Sequence, residues 1–310
     1  MRSVVASMFV IGRIAAVVAV CAAVFSVATA VDAQVPPGSI VPGGAPKQAV
    51  REPQTGEDAV KVSAAVVGDA KAGATVRVAV TFDVIPGWHI YWLNAGESGA
   101  PTDLELVLPE GCSMATRPNG RPVIDYPTPK VFRKSDTTFG YEGSVTLSVE
   151  VKLPSALPAG GLPVTVRSSW LVCKERCLLG RNEATVDLAK PVAADSKQAK
   201  ALAASVAALP KALPADWKVR LADVSAEAAI LELEAPASLS ADATWMMLPA
   251  DTPGIFLESG YLAEANGRLL RVPLVLSREL TEGKPLVFAG IIVLGKNAGS
   301  FAFSLPVPAP

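Results

Sequence analysis

Hydrophobic and polar side chains alternate along much of the chain between Val60 and Leu188. In residues 75–82 (TVRVAVTF), valine or phenylalanine occupies every second position. A period of two places these side chains on one face of a half-buried strand. Strands are predicted at 60–62, 74–84, 89–92, 104–108, 145–151, 164–170 and 184–188. About seven short strands separated by Pro- and Gly-rich turns predict an immunoglobulin-like β-sandwich over residues 59–190.

The alternating pattern is interrupted once and then resumes. Apolar residues recur at helical spacing in 199–209, and Asp195 or Ser196 can cap the start of a helix. We therefore predict a helical linker over residues 191–214. Beyond it, residues 215–310 carry strand patterns at 218–222, 230–233, 245–248, 269–276, 286–294 and 301–305. The expected fold class is all-β: two immunoglobulin-like β-sandwich domains joined by a short helix, after a signal peptide.

The amino-terminal residues have the pattern of an export signal. An apolar run over residues 14–27 follows Arg13 and precedes triplets with small residues where signal peptidase needs them. This predicts a cleaved signal peptide over residues 1–33, although an uncleaved membrane anchor is the alternative. Residues 34–58 are rich in proline and glycine and are expected to form a flexible linker, with order beginning near Val60. The mature protein is expected to be periplasmic or secreted.

The charge of the chain is close to neutral, with 28 basic and 29 acidic residues. Nucleic acids and anionic membranes attract strongly basic surfaces, so this balance argues against both as partners. After the signal, no apolar stretch reaches the about 18 to 20 residues that a bilayer requires. We therefore expect the mature protein to be soluble and to bind no nucleic acid.

The cysteines are the main candidates for chemistry. Cleavage of the signal removes Cys21 and leaves Cys112, Cys173 and Cys177 in an environment where disulfides persist. Apolar runs flank the charged residues 174–176, which predicts a hairpin with these three residues as its turn. Opposed residues of an antiparallel pair have Cα atoms about 4.5 to 5.5 Å apart, which lies within the range that a disulfide accepts. Cys173 and Cys177 are therefore predicted to face each other.

The sequence leaves two roles open for this pair. A structural staple is common in exported proteins, but closing a loop of about five residues stabilises a fold by only about 2 kcal/mol. Lys174 and Arg176 lie beside the two cysteines, and nearby cations favour the thiolate that reacts in exchange. Glu175 partly offsets them. Stapling and thiol–disulfide exchange therefore both remain possible at this point.

A copper-handling site is a third alternative. Cys173, Cys177, Cys112, Met114 and His89 could supply soft ligands for Cu(I), but their spacing resembles no paired zinc knuckle. His89 is the only histidine, and no nucleophile motif accompanies it. We expect its imidazole to be hydrogen-bonded beneath a loop, and Cys112 to be an inert thiol. No metal and no cofactor is expected.

Three segments together resemble a known family. Residues 89–102 (HIYWLNAGESGAPT), residues 139–143 (FGYEG) and Trp170–Cys177 resemble, in this order, the signatures of one domain. That domain is the amino-terminal periplasmic domain of DsbD-type thiol:disulfide interchange proteins. The later region, with Trp217 and the strand at 290–294, resembles the second sandwich of longer, ScsB-type relatives.

The resemblance implies an immunoglobulin-like domain whose pair Cys173 and Cys177 carries electrons. It implies that a membrane domain reduces the pair, which then reduces periplasmic disulfide isomerases or the thioredoxin-like proteins of cytochrome c maturation. It also implies a cap over the sulfurs, which we place between residues 126 and 139. The implied cap residues are Tyr126, Phe132 and Phe139. The implied structural motif residues are His89, Tyr91, Trp92, Asn94, Tyr141 and Trp170.

The chain departs from the family in two respects. Only three residues separate its cysteines, and it carries neither a membrane domain nor a thioredoxin-like domain with Cys-x-x-Cys. A separate membrane electron carrier is therefore expected to reduce it, and its standing as an enzyme, as one component of a protein-disulfide oxidoreductase, stays open. Analogy favours Cys173 as the attacking residue. The alternatives are a non-catalytic interaction module with a structural disulfide and a copper-handling protein.

Overall fold

The computed structural model describes residues 52–117, 119–133, 135–237, 245–250, 252–258, 261–281, 284–294 and 299–309. The predicted signal peptide, residues 1–33, and most of the predicted linker lie outside the described residues. The helices are α1 (Gly56–Ala59) and α2 (Lys197–Ala207), with a 3-10 helix at Arg278–Thr281. The first ten strands are β1 (Val60–Val67), β2 (Thr75–Val84), β3 (His89–Gly96), β4 (Asp103–Val107), β5 (Ser113–Met114), β6 (Lys130–Arg133), β7 (Thr137–Tyr141), β8 (Ser144–Lys152), β9 (Pro163–Cys173) and β10 (Cys177–Asp187). The other strands are β11 (Lys211–Ala212), β12 (Lys218–Ala222), β13 (Ala228–Glu234), β14 (Trp245–Pro249), β15 (Ile255–Leu257), β16 (Leu262–Asn266), β17 (Leu269–Leu276), β18 (Val287–Leu294) and β19 (Ser300–Pro306).

Strands β1 to β10 form two facing sheets, which we call the first sandwich. One sheet has the order β1-β2-β8-β5, and the other has the order β10-β9-β3-β7-β6 with β4 also paired to β9. Phe82 and Leu147 of one sheet and Ile90, Phe139 and Val172 of the other are fully buried in the shared core. The predicted all-β, immunoglobulin-like fold class is confirmed. Strands β5, β6 and β7 were not predicted: β5 and β6 have only two and four residues, and four consecutive residues of β7 are buried, so none of them shows clear alternation.

Strands β3 and β4 pair with the same edge of β9, one after the other along its length. Its last residues, Val172 and Cys173, pair with Ile90 and His89 of β3. Its middle residues pair with β4, and its whole length pairs with β10. The HIYW segment is thereby placed directly beside the cysteine hairpin, although about eighty positions separate them in the sequence.

The structure corrects the predicted start of the fold. Order was expected near Val60, but residues 52–59 already belong to the first sandwich. Thr55 and the Asp58 side chain form a capping box around α1, and Glu57 Oε1 accepts a 2.7 Å hydrogen bond from the Arg181 amide of β10. That backbone hydrogen bond is the main cause that lowers the pKa of Glu57. A four-residue helix held by polar caps has no hydrophobic period, so the pattern could not reveal it.

Helix α2 packs on the first sandwich as well as following it. Ser196 caps the helix, its Oγ accepting a 3.1 Å hydrogen bond from the Ala199 amide. Ala199 and Leu202 are buried, and the Ser205 hydroxyl donates to the Thr146 carbonyl of β8. Among the residues that the structure describes, no helix is both long and apolar enough to cross a membrane.

Strands β11 to β19 form a second sandwich. Their hydrogen-bonded order is β11-β19-β18-β14-β16-β17-β13-β12, and β15 also pairs with β17. Strand β16 pairs with β14 through its first residues and with β17 through its last ones, so it passes from one half to the other. The two halves share a core that includes Leu231, Met247, Leu274 and Phe288.

Strand β14 is buried on both faces because it lies between two cores. Trp245 and Met247 pack in the core of the second sandwich. Met246 and Leu248 point the opposite way and pack, with Ile291 of β18, in the cluster of the first sandwich. The sequence Trp-Met-Met-Leu therefore lacks polar alternation because neither of its faces meets water.

Candidate functional site

The two candidate cysteines close the tip of the β9–β10 hairpin. Cys173 and Cys177 are opposite each other in the register, and the predicted residues 174–176 form the turn. The two cysteines form a disulfide, with Cα atoms 4.2 Å apart. The Lys174 amide donates to the Arg176 carbonyl at 3.1 Å across the turn. The hairpin geometry predicted from the flanking apolar runs is confirmed.

The two bonded cysteines differ sharply in exposure. Cys173 is 4% exposed and packs with Tyr91, Ala95 and the half-buried Leu171, whereas Cys177 is exposed. An incoming thiolate must reach the sulfur that it attacks, so Cys177 is the accessible member of the pair. Analogy had favoured Cys173 as the attacking residue; its burial favours Cys177 instead.

A large apolar side chain stands beside the accessible cysteine. Residues two apart on a strand share a face, so Cys177 and Leu179 of β10 point outward while Leu178 and Gly180 point inward. Leu179 is 71% exposed. The exposed end of the disulfide therefore has an apolar neighbour that can contact a partner protein.

The loop that follows β3 covers the buried cysteine. Tyr91, which packs with Cys173, lies beneath Gly99, and a Cβ atom on Gly99 would overlap the Tyr91 ring. Gly99 has φ +106°, a conformation that only glycine adopts readily. Burial is the main cause that raises the pKa of Tyr91, and the charge of Asp136 adds to it. Gly99 is thus required for the close approach of this loop to Tyr91 that buries the tyrosine ring.

His89 and Phe132 form a second cover at the same place. His89 is the cross-strand partner of Cys173, and its ring stacks on Phe132 with centroids 4.6 Å apart. The Tyr91 ring lies edge-on to the same imidazole, with ring centroids 5.1 Å apart. Phe132 belongs to β6, which lies at the edge of this sheet and, among the described strands, pairs with β7. The β6–β7 hairpin therefore brings an aromatic ring next to the residue that opposes Cys173.

The other two implied cap residues lie in the main core. Phe139 is fully buried with its ring edge-on to Trp92 at 6.3 Å, and the buried Tyr126 donates its hydroxyl to the Thr102 carbonyl at 2.7 Å. Neither packs in the cluster around Cys173. The expectation that Tyr126 and Phe139 cover the sulfurs is therefore corrected. The reason is strand alternation: Thr138 and Gly140 share the outer face, so Phe139 points into the sandwich.

The remaining motif residues support the loops around the site. Tyr141 is buried and donates its hydroxyl to the Pro127 carbonyl at 2.7 Å, and burial raises its pKa. Asn94 Oδ1 accepts a 2.9 Å hydrogen bond from the Gly96 amide, which shapes the start of the covering loop. Trp170 lies inside the core with its ring edge-on to Phe82 at 5.7 Å.

The amino-terminal segment holds the turn of the hairpin from outside. Arg176 donates to the Pro53 carbonyl, and the Lys174 ammonium lies 3.7 Å from a Glu52 carboxylate oxygen. Both cations therefore remain near the disulfide, as the sequence predicted, but each has a partner in residues that were assigned to a flexible linker. No pattern in the sequence indicated Glu52 or Pro53, because their role depends on the return of the chain to β10.

The five possible copper ligands are not all brought together. Met114 lies on β5, which pairs with β8 in the sheet opposite the one that carries Cys173. Cys112 precedes the same strand; its thiol is half-buried and unbonded, and burial raises its pKa. Within the described ranges, no group of three or more His, Cys, Asp or Glu side chains could hold a metal ion.

A stack of two glycines and a tryptophan underlies the hairpin. Gly180 faces Trp170 in the register, and a Cβ atom on Gly180 would overlap the Trp170 ring. Gly56 of α1 packs on the other side of Gly180 with no space for a Cβ atom. This contact was not predicted, because a single glycine in a strand does not reveal what lies above it.

We expect Gly180→Ala to lower the free energy of unfolding by about 1 to 3 kcal/mol, because the added methyl group overpacks the Trp170 contact. Urea denaturation of the oxidised protein measures the change. Gly160→Ala is the matched control, since Gly160 has no atom within 4 Å of the added Cβ. Equal stability of the two variants would contradict the packing described.

One family model matches part of the chain. Residues 56–189 match the model described as "Thiol:disulfide interchange protein DsbD, N-terminal". The crystal structure of the N-terminal periplasmic domain of ScsB from Proteus mirabilis is similar, with a TM-score of 0.59 and 16% identity over 82% of this chain and 95% of that one. A protein of unknown function from Porphyromonas gingivalis W83 aligns over 80% of this chain and 98% of that one, at 11% identity and a TM-score of 0.23, too low to support an argument. No curated protein matches the chain.

Proposed function

Since residues 56–189 belong to the DsbD amino-terminal domain family, we propose that this chain is a thiol–disulfide exchange module that acts through Cys173 and Cys177. One observation carries the proposal: the disulfide lies at a hairpin tip with one cysteine exposed and the other buried. In such an arrangement, a partner can attack the exposed sulfur. The buried sulfur is the leaving group when the disulfide opens and the attacking group when the disulfide forms again.

Exchange begins when a partner thiolate attacks Cys177 Sγ. The bond between the two sulfurs breaks, Cys173 leaves as a thiolate that takes up a proton, and a mixed disulfide joins the partner to Cys177. A second thiol of the partner then attacks the partner's own sulfur in that bond and releases Cys177. Two electrons have passed from the partner, which ends with a disulfide, to this chain, which ends with two thiols. The reverse sequence reduces a partner disulfide.

Cys173 is released into a largely apolar environment. Tyr91, Ala95 and Leu171 surround it, so water and partner sulfurs have little access to it. His89, its cross-strand neighbour, places a titratable imidazole beside it, and Phe132 covers that imidazole. We propose that Phe132 and the β6–β7 hairpin form the cap that shields the pair between encounters.

The family and the ScsB likeness also guide the proposed setting. We propose that the chain is exported to the periplasm by a signal at residues 1–33, where a separate membrane electron carrier reduces the pair. Periplasmic thioredoxin-like proteins or disulfide isomerases, including those of cytochrome c maturation, are the proposed partners in electron transfer. We propose two domains at residues 52–190 and 215–310, connected by the α2 region.

The reduction potential of the disulfide tests the proposal. Structural disulfides of exported proteins lie below about −300 mV, and we expect this one to be less negative. The full chain is used with Cys112→Ser, which removes the third thiol. It is equilibrated in dithiol buffers of known potential and then alkylated. Mass spectrometry gives the reduced fraction from the mass that alkylation adds. Reduced thioredoxin is added in a parallel assay to detect transfer to a protein. A potential below about −300 mV, in the range of structural disulfides, together with no transfer would leave a structural staple as the function.

A further inference from the structure

The loop that covers Cys173 is hydrogen-bonded to the second sandwich. The Asn94 side chain donates from Nδ2 to the carbonyls of Pro249 and Ala250, at 3.0 and 3.3 Å. Its Oδ1 meanwhile accepts from the amide of Gly96, the last residue of β3, where the covering loop starts. Asn94 therefore joins the start of that loop to the carboxyl end of β14.

The β6–β7 hairpin has its own contacts with the second sandwich. Arg133, next to Phe132 on β6, donates to the Met246 sulfur at 3.7 Å. Tyr261 packs its ring edge-on to Phe139 of β7, with centroids 4.7 Å apart. Burial is the main cause that raises the pKa of Tyr261. Met246 lies near the amino end of β14, so this one strand contacts both covers of the disulfide.

The two covers are also joined to each other. The Glu97 amide of the loop donates to the Thr137 carbonyl of the hairpin at 2.9 Å, and Glu97 Oε2 accepts from the Thr137 amide at 2.7 Å. A shift of either cover therefore displaces the other. Strand β6 has only four residues and one neighbouring strand, and such short edge pairing is marginally stable by itself.

We propose that the second sandwich is a positioning element for the disulfide: through Asn94 and Tyr261 it holds the covering loop and the β6–β7 hairpin over Cys173. Cys177 alone is then offered to a partner, which decides which sulfur is attacked. The inference deepens the proposed exchange function, since it assigns the second sandwich a part in that reaction. Asn94 and Tyr261 act through the covers and are positioning residues.

Competitive alkylation of the reduced full chain tests this inference. Limiting iodoacetamide is added to the Cys112→Ser protein, and peptide mass spectrometry gives the labelling rates of Cys173 and Cys177 separately. In the parent protein, we expect Cys177 to be labelled much faster. Asn94→Asp keeps the acceptor for Gly96 but loses the donor to Pro249 and Ala250. It is expected to raise the Cys173 rate about fivefold or more, because the loss of one net hydrogen bond changes a population by about that factor and Asn94→Asp loses two.

Tyr261→Ala is a second variant, which removes the contact of the second sandwich with Phe139, and it is expected to act in the same direction. Phe132→Ala removes a cover directly and sets the upper limit of the effect. Leu305→Ala is the control: Leu305 packs only in the core of the second sandwich, so this variant lowers stability there and leaves the labelling ratio unchanged. Hydrogen exchange of the amides at 130–141 is expected to quicken in Asn94→Asp and Tyr261→Ala but not in the control.

An unchanged Cys173 rate in both Asn94→Asp and Tyr261→Ala would overturn the inference. Equal labelling of the two cysteines in the parent protein would also overturn it, because Cys173 would then have no effective cover. Alkylation measures access to the sulfur and needs no partner protein. Failure of the proposed exchange function would appear separately, in the potential and in the transfer from thioredoxin.

Discussion

Replacing Cys173 with serine is expected to trap a mixed disulfide with an oxidised thioredoxin-like protein, while replacing Cys177 with serine is expected to abolish exchange. Cys173→Ser leaves the exposed Cys177 thiol to attack a partner disulfide, but this chain then has no second thiol to displace the reduced partner, so the mixed disulfide persists until the partner's own freed thiol attacks back. Cys177→Ser leaves only the buried Cys173, which a partner sulfur cannot reach in line. Non-reducing electrophoresis detects the trapped complex, and peptide mass spectrometry identifies the linked cysteine.

Both variants are made in a Cys112→Ser background, so that a trapped complex must involve the hairpin. Thermal unfolding of each variant establishes that the sandwich stays folded without its disulfide. Closure of such a short loop contributes only about 2 kcal/mol, so both are expected to fold. Equal trapping by the two variants would show that the difference in burial does not govern attack.

Trp170→Ala is expected to lower the free energy of unfolding by about 3 to 5 kcal/mol, the usual cost of removing a buried aromatic side chain. The Trp170 ring is buried, contacts Phe82 edge-on, and forms the surface on which Gly180 rests. Its removal leaves a cavity beneath the cysteine hairpin of β9 and β10. Urea denaturation of the oxidised protein measures the loss, with the disulfide kept intact to exclude its contribution.

Trp217→Ala is the control, because Trp217 is only partly buried at the margin of the second core. A smaller loss of stability is expected there. Should Trp170→Ala cost no more than Trp217→Ala, the packing of Trp170, Gly180 and Gly56 would not support the hairpin as described.

Strand alternation indicated much of the first sandwich but left several side chains unassigned. The period in 75–82 predicted β2, and the apolar runs around residues 174–176 predicted the cysteine hairpin in its observed register. The family resemblance implied that Phe139 belongs to the cap, and no strand was predicted over the residues of β7. Once β7 is known, alternation places Phe139 in the core and Phe132, through pairing with Thr138, on the outer face.

By itself, the sequence determined the all-β class and the pairing of Cys173 with Cys177, because both follow from local spacing along one or two neighbouring strands. Only the tertiary structure decided which cysteine is buried, because Tyr91, Ala95 and the loop above them come from a distant part of the chain. It also decided that side chains of β14 pack in both cores and that Asn94 donates a hydrogen bond to the second sandwich. Contacts between distant segments depend on how whole sheets pack. The hydrophobic period of a single strand indicates which of its faces is buried but not which residues cover that face.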